Sequence, residues 1–340
     1  MIHKFVTFFV LIFCIIGGWA TQAIAQQEAG FIPKKLQLKV AKKNGWFPNL
    51  DVGFNFSFAQ SDGVVGVPDG TTLNVGVQLE GGLLFSKNSH EWRNTIKIVH
   101  TQTKVPTIKS FLKSADQASL ESVYTYRLKK MKWFGFFISL KGDTALVDGF
   151  LIRDTDTKLK IKEIDGQSKS ESLKGQEVYL LTKGLSPFLL KESLGVAVTY
   201  SKDKLLKVDV KAGGGVIQAW TREGLRVDDD ATTTDVFELT RLQDYIQAGL
   251  ELKLVAAGIL FKKLLNYNFA LGAMLPFYSS VTNNLSTIEL LNVNMNLKIG
   301  LKINKWFSLN YALSLVSAPL IQPKLQITNN LILSFTTSIL

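Results

Sequence analysis

The chain is poor in the residues that build most chemical sites. Its only cysteine, Cys14, lies in the apolar N-terminal segment, so once a leader is removed no disulfide or thiolate chemistry remains. His3 lies in the same segment, which leaves His90 and His100 as the imidazoles of a processed chain, too few for a zinc or haem site without cysteine. No cofactor is expected. Long hydrophobic runs are also absent after the N-terminus, where none reaches the roughly 18 apolar residues of a membrane-spanning helix. Yet 46% of the 340 residues are hydrophobic and the mean hydropathy is +0.14, so the apolar content must be spread through alternating segments. The formal charge is +11 and the pI about 9.5, but the lysines are dispersed, which argues against a nucleic-acid footprint.

At the start, Lys4 precedes an apolar run over residues 5–18, and Ala23-Ile24-Ala25 places small residues at −3 and −1 of a cleavage point. Residues 1–25 therefore read as a secretory signal peptide, cleaved on export. Phe13 before Cys14 is too bulky for a lipoprotein-type site. Residues 26–48, rich in lysine, read as a periplasmic extension, and residues 49–340 as the folded unit.

Alternation inside that unit is longer than soluble strands need. Leu291, Val293, Met295, Leu297, Ile299, Leu301 and Ile303 share one face of an extended chain, with Asn292, Asn294, Asn296, Lys298 and Lys302 on the other. A strand tilted across hydrocarbon needs about 9–11 residues, against about five or six in a sandwich. Eleven further segments carry the same pattern, for example Leu50, Val52, Phe54, Phe56 and Phe58, or Leu194, Val196, Val198 and Tyr200. The count predicts an all-β protein, a transmembrane antiparallel β-barrel of about 12 strands (range 10–14, with the interval 150–190 hardest to count), an even number as single-chain bacterial barrels require.

Connections after the odd-numbered strands read as long and those after the even ones as short. This assigns short periplasmic turns, long extracellular loops, and both termini to the periplasm. The two longest loops are 148–187 and 221–240; within the first, 159–164 and 177–181 are expected to pair as a hairpin. Trp46, Trp92, Trp133, Tyr267 and Trp306 fall where upward strands leave the short turns, the place of an interfacial girdle. The predicted address is the bacterial outer membrane, with lipid and lipopolysaccharide as neighbours and the barrel-insertion machinery as a partner.

Trp92-Arg93-Asn94, the segment 119–128, Gly142-Asp143-Thr144 with Gly149, Ser186-Pro187-Phe188 and 303–307 are similar to an uncharacterised family of bacterial outer-membrane barrels, a domain of unknown function. The resemblance implies a barrel and an outer-membrane address, and no activity. Many outer-membrane proteins end in an outward aromatic, whereas here the outward phase ends at Ile339.

Candidate chemistry is sparse. In outer-membrane phospholipase a nucleophilic serine lies two residues after its histidine; here Gln102 follows His100 and Trp92 follows His90 at that spacing. No catalytic residue is assigned and the chain is not read as an enzyme. Gly213-Gly214-Gly215 lacks the Lys-Ser/Thr of a phosphate loop and reads as close packing in a strand. Asp228-Asp229-Asp230 offers oxygens of the kind that hold Ca²⁺, but acidic runs are usually solvated loop, and no metal site is assigned.

The face rule is more informative. It turns Arg93, Lys97, Arg127, Lys141, Lys207, Lys211, Lys253, Lys298 and Lys302 toward the lumen, with Asp51, Glu80, Glu121, Asp209 and Glu251. The excess of bases points to a pore or transporter for small anionic solutes. The bland reading pairs these charges across a closed lumen, leaving a structural or surface-binding barrel that acts through its loops. A membrane-embedded hydrolase is the third reading.

Overall fold

The computed structural model describes residues 44–61, 70–202, 205–230, 233, 236–261, 264–281, 285–303 and 307–338. The expected leader, residues 26–43 of the extension, the loop at 62–69 and the turn at Asn304-Lys305 lie outside the described residues. So do Trp306 and Ile339.

Alternating segments become long strands because each buries polar side chains in a hydrated interior and offers apolar ones to hydrocarbon. In chain order the wall begins with β1 (Gly45–Ser61), β2 (Gly70–Lys87), β3 (His90–Lys104), β4 (Leu112–Arg127) and β5 (Phe134–Thr144). It continues with β10 (Phe188–Lys202), β11 (Leu206–Trp220), β14 (Tyr245–Leu260), β15 (Leu265–Ser279), β16 (Asn292–Lys302), β17 (Phe307–Ala318) and β18 (Gln322–Ser338). These twelve strands form a closed antiparallel barrel in which each neighbours the next and β18 returns to β1. All twelve coincide with segments that alternation marks. Residues 45–48, read from the sequence as the end of the extension, belong to β1, where Gly45 pairs with Ser86 and Trp46 with Phe85.

The burial pattern inverts that of a soluble core. Leu194 and Leu250 are 65% and 64% exposed, while Glu251, next to Leu250, is 4% exposed and Lys207 likewise 4%. Apolar side chains on the outside with buried charges inside are what hydrocarbon selects. Trp46 packs on Phe85 (4.7 Å) and Trp92 (6.1 Å), and Trp133 on Phe134 (5.8 Å), at the end with short turns. At the opposite end Phe188 meets Trp220 at 5.6 Å, a second aromatic level that the sequence reading did not mark.

Gly195 and Gly213 are direct cross-strand partners, and a Cβ on either would fall about 2 Å from the backbone oxygen of the other strand, Ala212 O at 2.1 Å or Leu194 O at 2.0 Å. The glycine run therefore serves close backbone packing in the wall.

The two longest loops form structure of their own. Between β5 and β10 lie β6 (Gly149–Ile152), β7 (Thr157–Lys162), β8 (Ser168–Leu173) and β9 (Val178–Thr182); between β11 and β14 lie β12 (Leu225–Val227) and β13 (Val236–Arg241). β12, β13, β7 and β8 make one sheet, with β7 and β13 parallel, and β6 pairs with β9. The hairpin expected between 159–164 and 177–181 does not form: β7 takes β8 and β13 as partners because that places Leu159, Ile161, Leu173, Leu225, Phe237 and Leu239 in one buried core. The result is a small β-cap on the exterior end.

One loop expectation is overturned. The connection after β17, the eleventh wall strand and so expected to be long, is a reversal over 319–321, and Ile321 N bonds Ala318 O at 2.9 Å to close it.

Candidate functional site in the barrel lumen

The lumen holds a cavity of about 320 Å³ at the level of the wall's middle and its short-turn half. Arg93 and Lys97 come from β3, Arg127 from β4, Lys141 from β5, Lys207 and Lys211 from β11, Lys253 from β14 and Lys298 from β16. The acids lining it are Glu80, Glu91, Glu121 and Asp209, so eight bases face four carboxylates. Lys302, the last residue of β16, is not among the described lining residues, although alternation puts it on the same face; its place beside the short turn carries it past the cavity. Glu251 sits behind the lining, where Lys191 (2.7 Å) and Lys253 (3.3 Å) both approach its carboxylate.

Much of this charge is paired. Glu91 receives Arg93 at 2.9 Å and Arg127 at 3.6 Å; Lys141 meets Asp143 at 2.8 Å, and Lys207 meets Asp209 at 3.2 Å. Thr199 Oγ1 donates to Asp209 (2.6 Å) and accepts from Arg127 (2.8 Å), tying two of these pairs together. Lys97 donates to Gln117 Oε1 at 3.4 Å, and the Lys211 ammonium lies 5.4 Å from the Phe137 ring centre. Glu91, Lys191 and Asp143 are not among the lumen residues the face rule names, yet one more step of the same alternation, from Arg93 to Glu91, Ser193 to Lys191 and Lys141 to Asp143, reaches each.

The remaining wall is amide-rich. Asn268 and Asn296 line the cavity, Asn292 donates to Gln247 Oε1 at 3.0 Å, Asn296 to Asn294, and Asn310 to Ser308 Oγ at 3.0 Å. Such groups both donate and accept, so they hold water or a polar solute without adding charge.

Toward the exterior the lumen changes character. Ile217 and Ala219 on β11, Tyr245 on β14 and Met274 on β15 form a buried apolar layer, joined by Leu189, Val281 and by Leu320 and Ile321 of the β17–β18 turn. Above it sits the cap. Arg226 of β12 donates to Ile321 O at 3.1 Å, and Gln176, in the β8–β9 turn, donates to Thr107 O at 2.9 Å while its own Oε1 accepts from Lys109 N at 3.0 Å. These contacts fasten the cap to the rim at β3–β4 and at β17–β18.

Inside the cap Arg241 grips Glu163 with both Nε and Nη2, and this fork holds the Glu163 carboxyl below its usual range while raising the guanidinium. Burial pushes the Tyr179 hydroxyl up to about 12, helped by its hydrogen bond to Glu171.

The other sequence candidates hold no ligand geometry. His100 Nδ1 lies 3.3 Å from Asp116 Oδ1, and its Nε2 faces Gln102 at 3.2 Å, so its described hydrogen-bond partners include no serine hydroxyl. His90 meets Tyr124 OH at 2.6 Å. The acidic run is engaged within the cap: Asp228 accepts from Thr240 Oγ1 (2.9 Å) and pairs with Arg226 (3.5 Å), and Asp229 accepts from Glu238 N (3.2 Å). Among the described residues no group of three His, Cys, Asp or Glu is placed to hold a metal.

A closed even-stranded barrel, an apolar outer belt between two aromatic levels and a charged lumen define an outer-membrane β-barrel. No protein-family model matches the chain, and no curated protein matches its sequence. Among solved structures it is similar to an outer-membrane channel from Pseudomonas putida F1, with 11% identity, 91% of this chain and 99% of that one covered, and a TM-score of 0.40. The translocator domain of the autotransporter NalP from Neisseria meningitidis matches with 9% identity, 89% and 90% coverage and a TM-score of 0.36. The β-domain of the Bordetella autotransporter Brka matches with 10% identity, 86% and 97% coverage and a TM-score of 0.31.

Proposed function

We propose that the protein is an outer-membrane pore or transporter whose basic lumen accepts small anionic solutes, and that it is exported by a cleaved signal peptide, inserted by the barrel-insertion machinery and surrounded by outer-membrane lipid and lipopolysaccharide. The observation that carries this reading is the eight-to-four excess of basic over acidic side chains around the cavity. Charges on a low-dielectric wall focus the field along the lumen, so anions are enriched there even where part of the charge is paired. Purified protein in planar bilayers under a salt gradient tests it: a reversal potential on the anion side is expected, and a silent or cation-selective protein would end the reading. The charge pairs explain how so many ions stay buried, and the lumen is read as a passage.

A second reading has its own support. The apolar layer and the cap with its own core lie at the exterior end of the lumen, as suits a barrel that acts through its extracellular structure. Under it, deleting the cap would abolish function without producing conductance.

A further inference from the structure

Charge is spread unevenly around the lumen. Every charged residue lining the cavity except Lys298 comes from β2–β5, β11 or β14. The sequences of β15, β16 and β17 contain neither aspartate nor glutamate. Their inward phase carries amides instead: Asn266 and Asn268 on β15, Asn292, Asn294 and Asn296 on β16, and Asn310 on β17. Around the closed ring β16 stands opposite β4, so a neutral amide sector faces a sector of ions.

The two kinds of group meet at Lys298. It is the cross-strand partner of Asn268, Asn296 precedes it by two residues on the same face, and all three line the cavity. Asn268 is 4% exposed and its Nδ2 has no hydrogen-bond partner among the described residues, so folding has taken this donor out of bulk water without replacing its bond. Beside it Ala257 and Ala270, which line the same cavity, are too short to fill the space. On the ionic side the described contacts of Lys97 and Lys211 are with neutral groups, Gln117 Oε1 and the Phe137 ring.

Cations alone suffice to draw in chloride or phosphate, and amides add little to that attraction. A row of amides suits a solute with many hydroxyls, because each amide donates and accepts, as each hydroxyl does. A fatty anion would need an apolar lining in their place. The cavity, about 320 Å³, lies at the small end of ligand pockets, which fits one sugar ring better than a chain of them.

We infer that the lumen binds a monosaccharide bearing a carboxylate or a phosphate, with its acid group beside Lys298 and the ionic sector and its hydroxyls on the amides of β15–β17. The acid half rests on the basic lumen proposed above; the hydroxyl half rests on the amide sector alone.

Isothermal titration calorimetry on the full-length protein in detergent separates the two halves, with chloride conductance measured in parallel in planar bilayers. Glucuronate is compared with hexanoate, and glucose 6-phosphate with inorganic phosphate, so that each sugar acid is set against an anion without its hydroxyls; glucose supplies the hydroxyls without the acid. At least one sugar acid should bind ten-fold or more tightly than both its hydroxyl-free partner and glucose, and the better of the two tells carboxylate from phosphate. Asn268→Ala and Asn296→Ala, made separately so that a folding failure in one leaves the other, should each cut that preference at least three-fold. Lys298→Gln should weaken the sugar acid and its hydroxyl-free partner alike. Sugar-acid binding by a protein that conducts no chloride would keep this site and remove the pore. Equal binding of each sugar acid and its partner, glucose bound as tightly as the sugar acids, a preference untouched by the asparagine variants, or no heat from either sugar acid would overturn the inference. Anion conductance alongside any of those results would leave the pore standing and make the amides a hydration wall.

Discussion

Arg226 on the cap strand β12 donates to the backbone oxygen of Ile321 at 3.1 Å, and the two residues stand on connections separated by four strands of the wall. The bond thus spans a sector of the mouth and holds the β17–β18 turn over the apolar layer to which Leu320 and Ile321 belong. A hydrogen bond with a charged partner contributes about 1.5–3 kcal/mol where water is excluded, and less at a rim. Arg226→Ala should therefore raise the open fraction of the channel about ten-fold in planar bilayers. An unchanged open fraction would mean that the mouth is held elsewhere.

The cap should unfold without the barrel. Leu239 is 1% exposed in a core shared by strands from both long loops, so Leu239→Ala removes contacts from both at once. Its cost is about 2–5 kcal/mol, which a unit of this size has little capacity to absorb. Limited proteolysis should then cut within 145–187 and 221–244, while the barrel keeps its resistance to detergent at room temperature. Loss of that resistance too would show that cap and barrel fold as one.

The barrel was legible because its signal is local. Each wall strand carries its alternation within a dozen residues, and a one-residue slip would turn Leu250 inward and Glu251 into lipid. The cap was not legible, because β7 finds β13 78 positions away in another loop and no local pattern specifies that partner. Burial also hid the pairings of the lumen: the face rule places Lys207 and Asp209 on one wall, but their 3.2 Å contact depends on rotamers that alternation does not fix.

Charge on the outer face should be costly and charge on the inner face tolerated. Leu297 pairs with Phe269 and Leu313 on the lipid side, whereas its neighbour Asn296 lines the cavity. Leu297→Arg should cost about 2–4 kcal/mol of stability in bilayers, by carrying a guanidinium into hydrocarbon, and Asn296→Arg much less. Urea titration of the protein in liposomes compares them, and equal losses would contradict the face assignment.

Acid should loosen the cap through Glu163. The Arg241 fork lowers its carboxyl pKa on folding, so its stabilising effect is complete above the ordinary carboxylate value of 4.5 and disappears as pH falls through the lower folded value. Protease access to the cap should thus rise below about pH 4.5 and stay flat from there to neutrality. Glu163→Gln should be more accessible at neutral pH and lose that acid-dependent rise. A parent profile already sloping near pH 7 would point to another group, such as a histidine.

Selectivity follows from the count of lining charges. Replacing Lys97 and Lys211 by glutamate turns eight bases and four acids into six and six, so the double variant should lose anion preference without acquiring a strong preference for cations. Lys211→Glu places the new carboxylate near Glu121 and Phe137, where the cation–π contact is lost as well, so each single variant is also measured. Adding Lys298→Glu makes seven acids against five bases and should carry the reversal potential across zero. The shifts should shrink as ionic strength rises, because the Debye length falls to about 3 Å at 1 M salt, shorter than the lumen is wide. A reversal potential that ignores all three substitutions would place the selectivity-determining constriction outside this cavity, in the apolar layer beneath the cap.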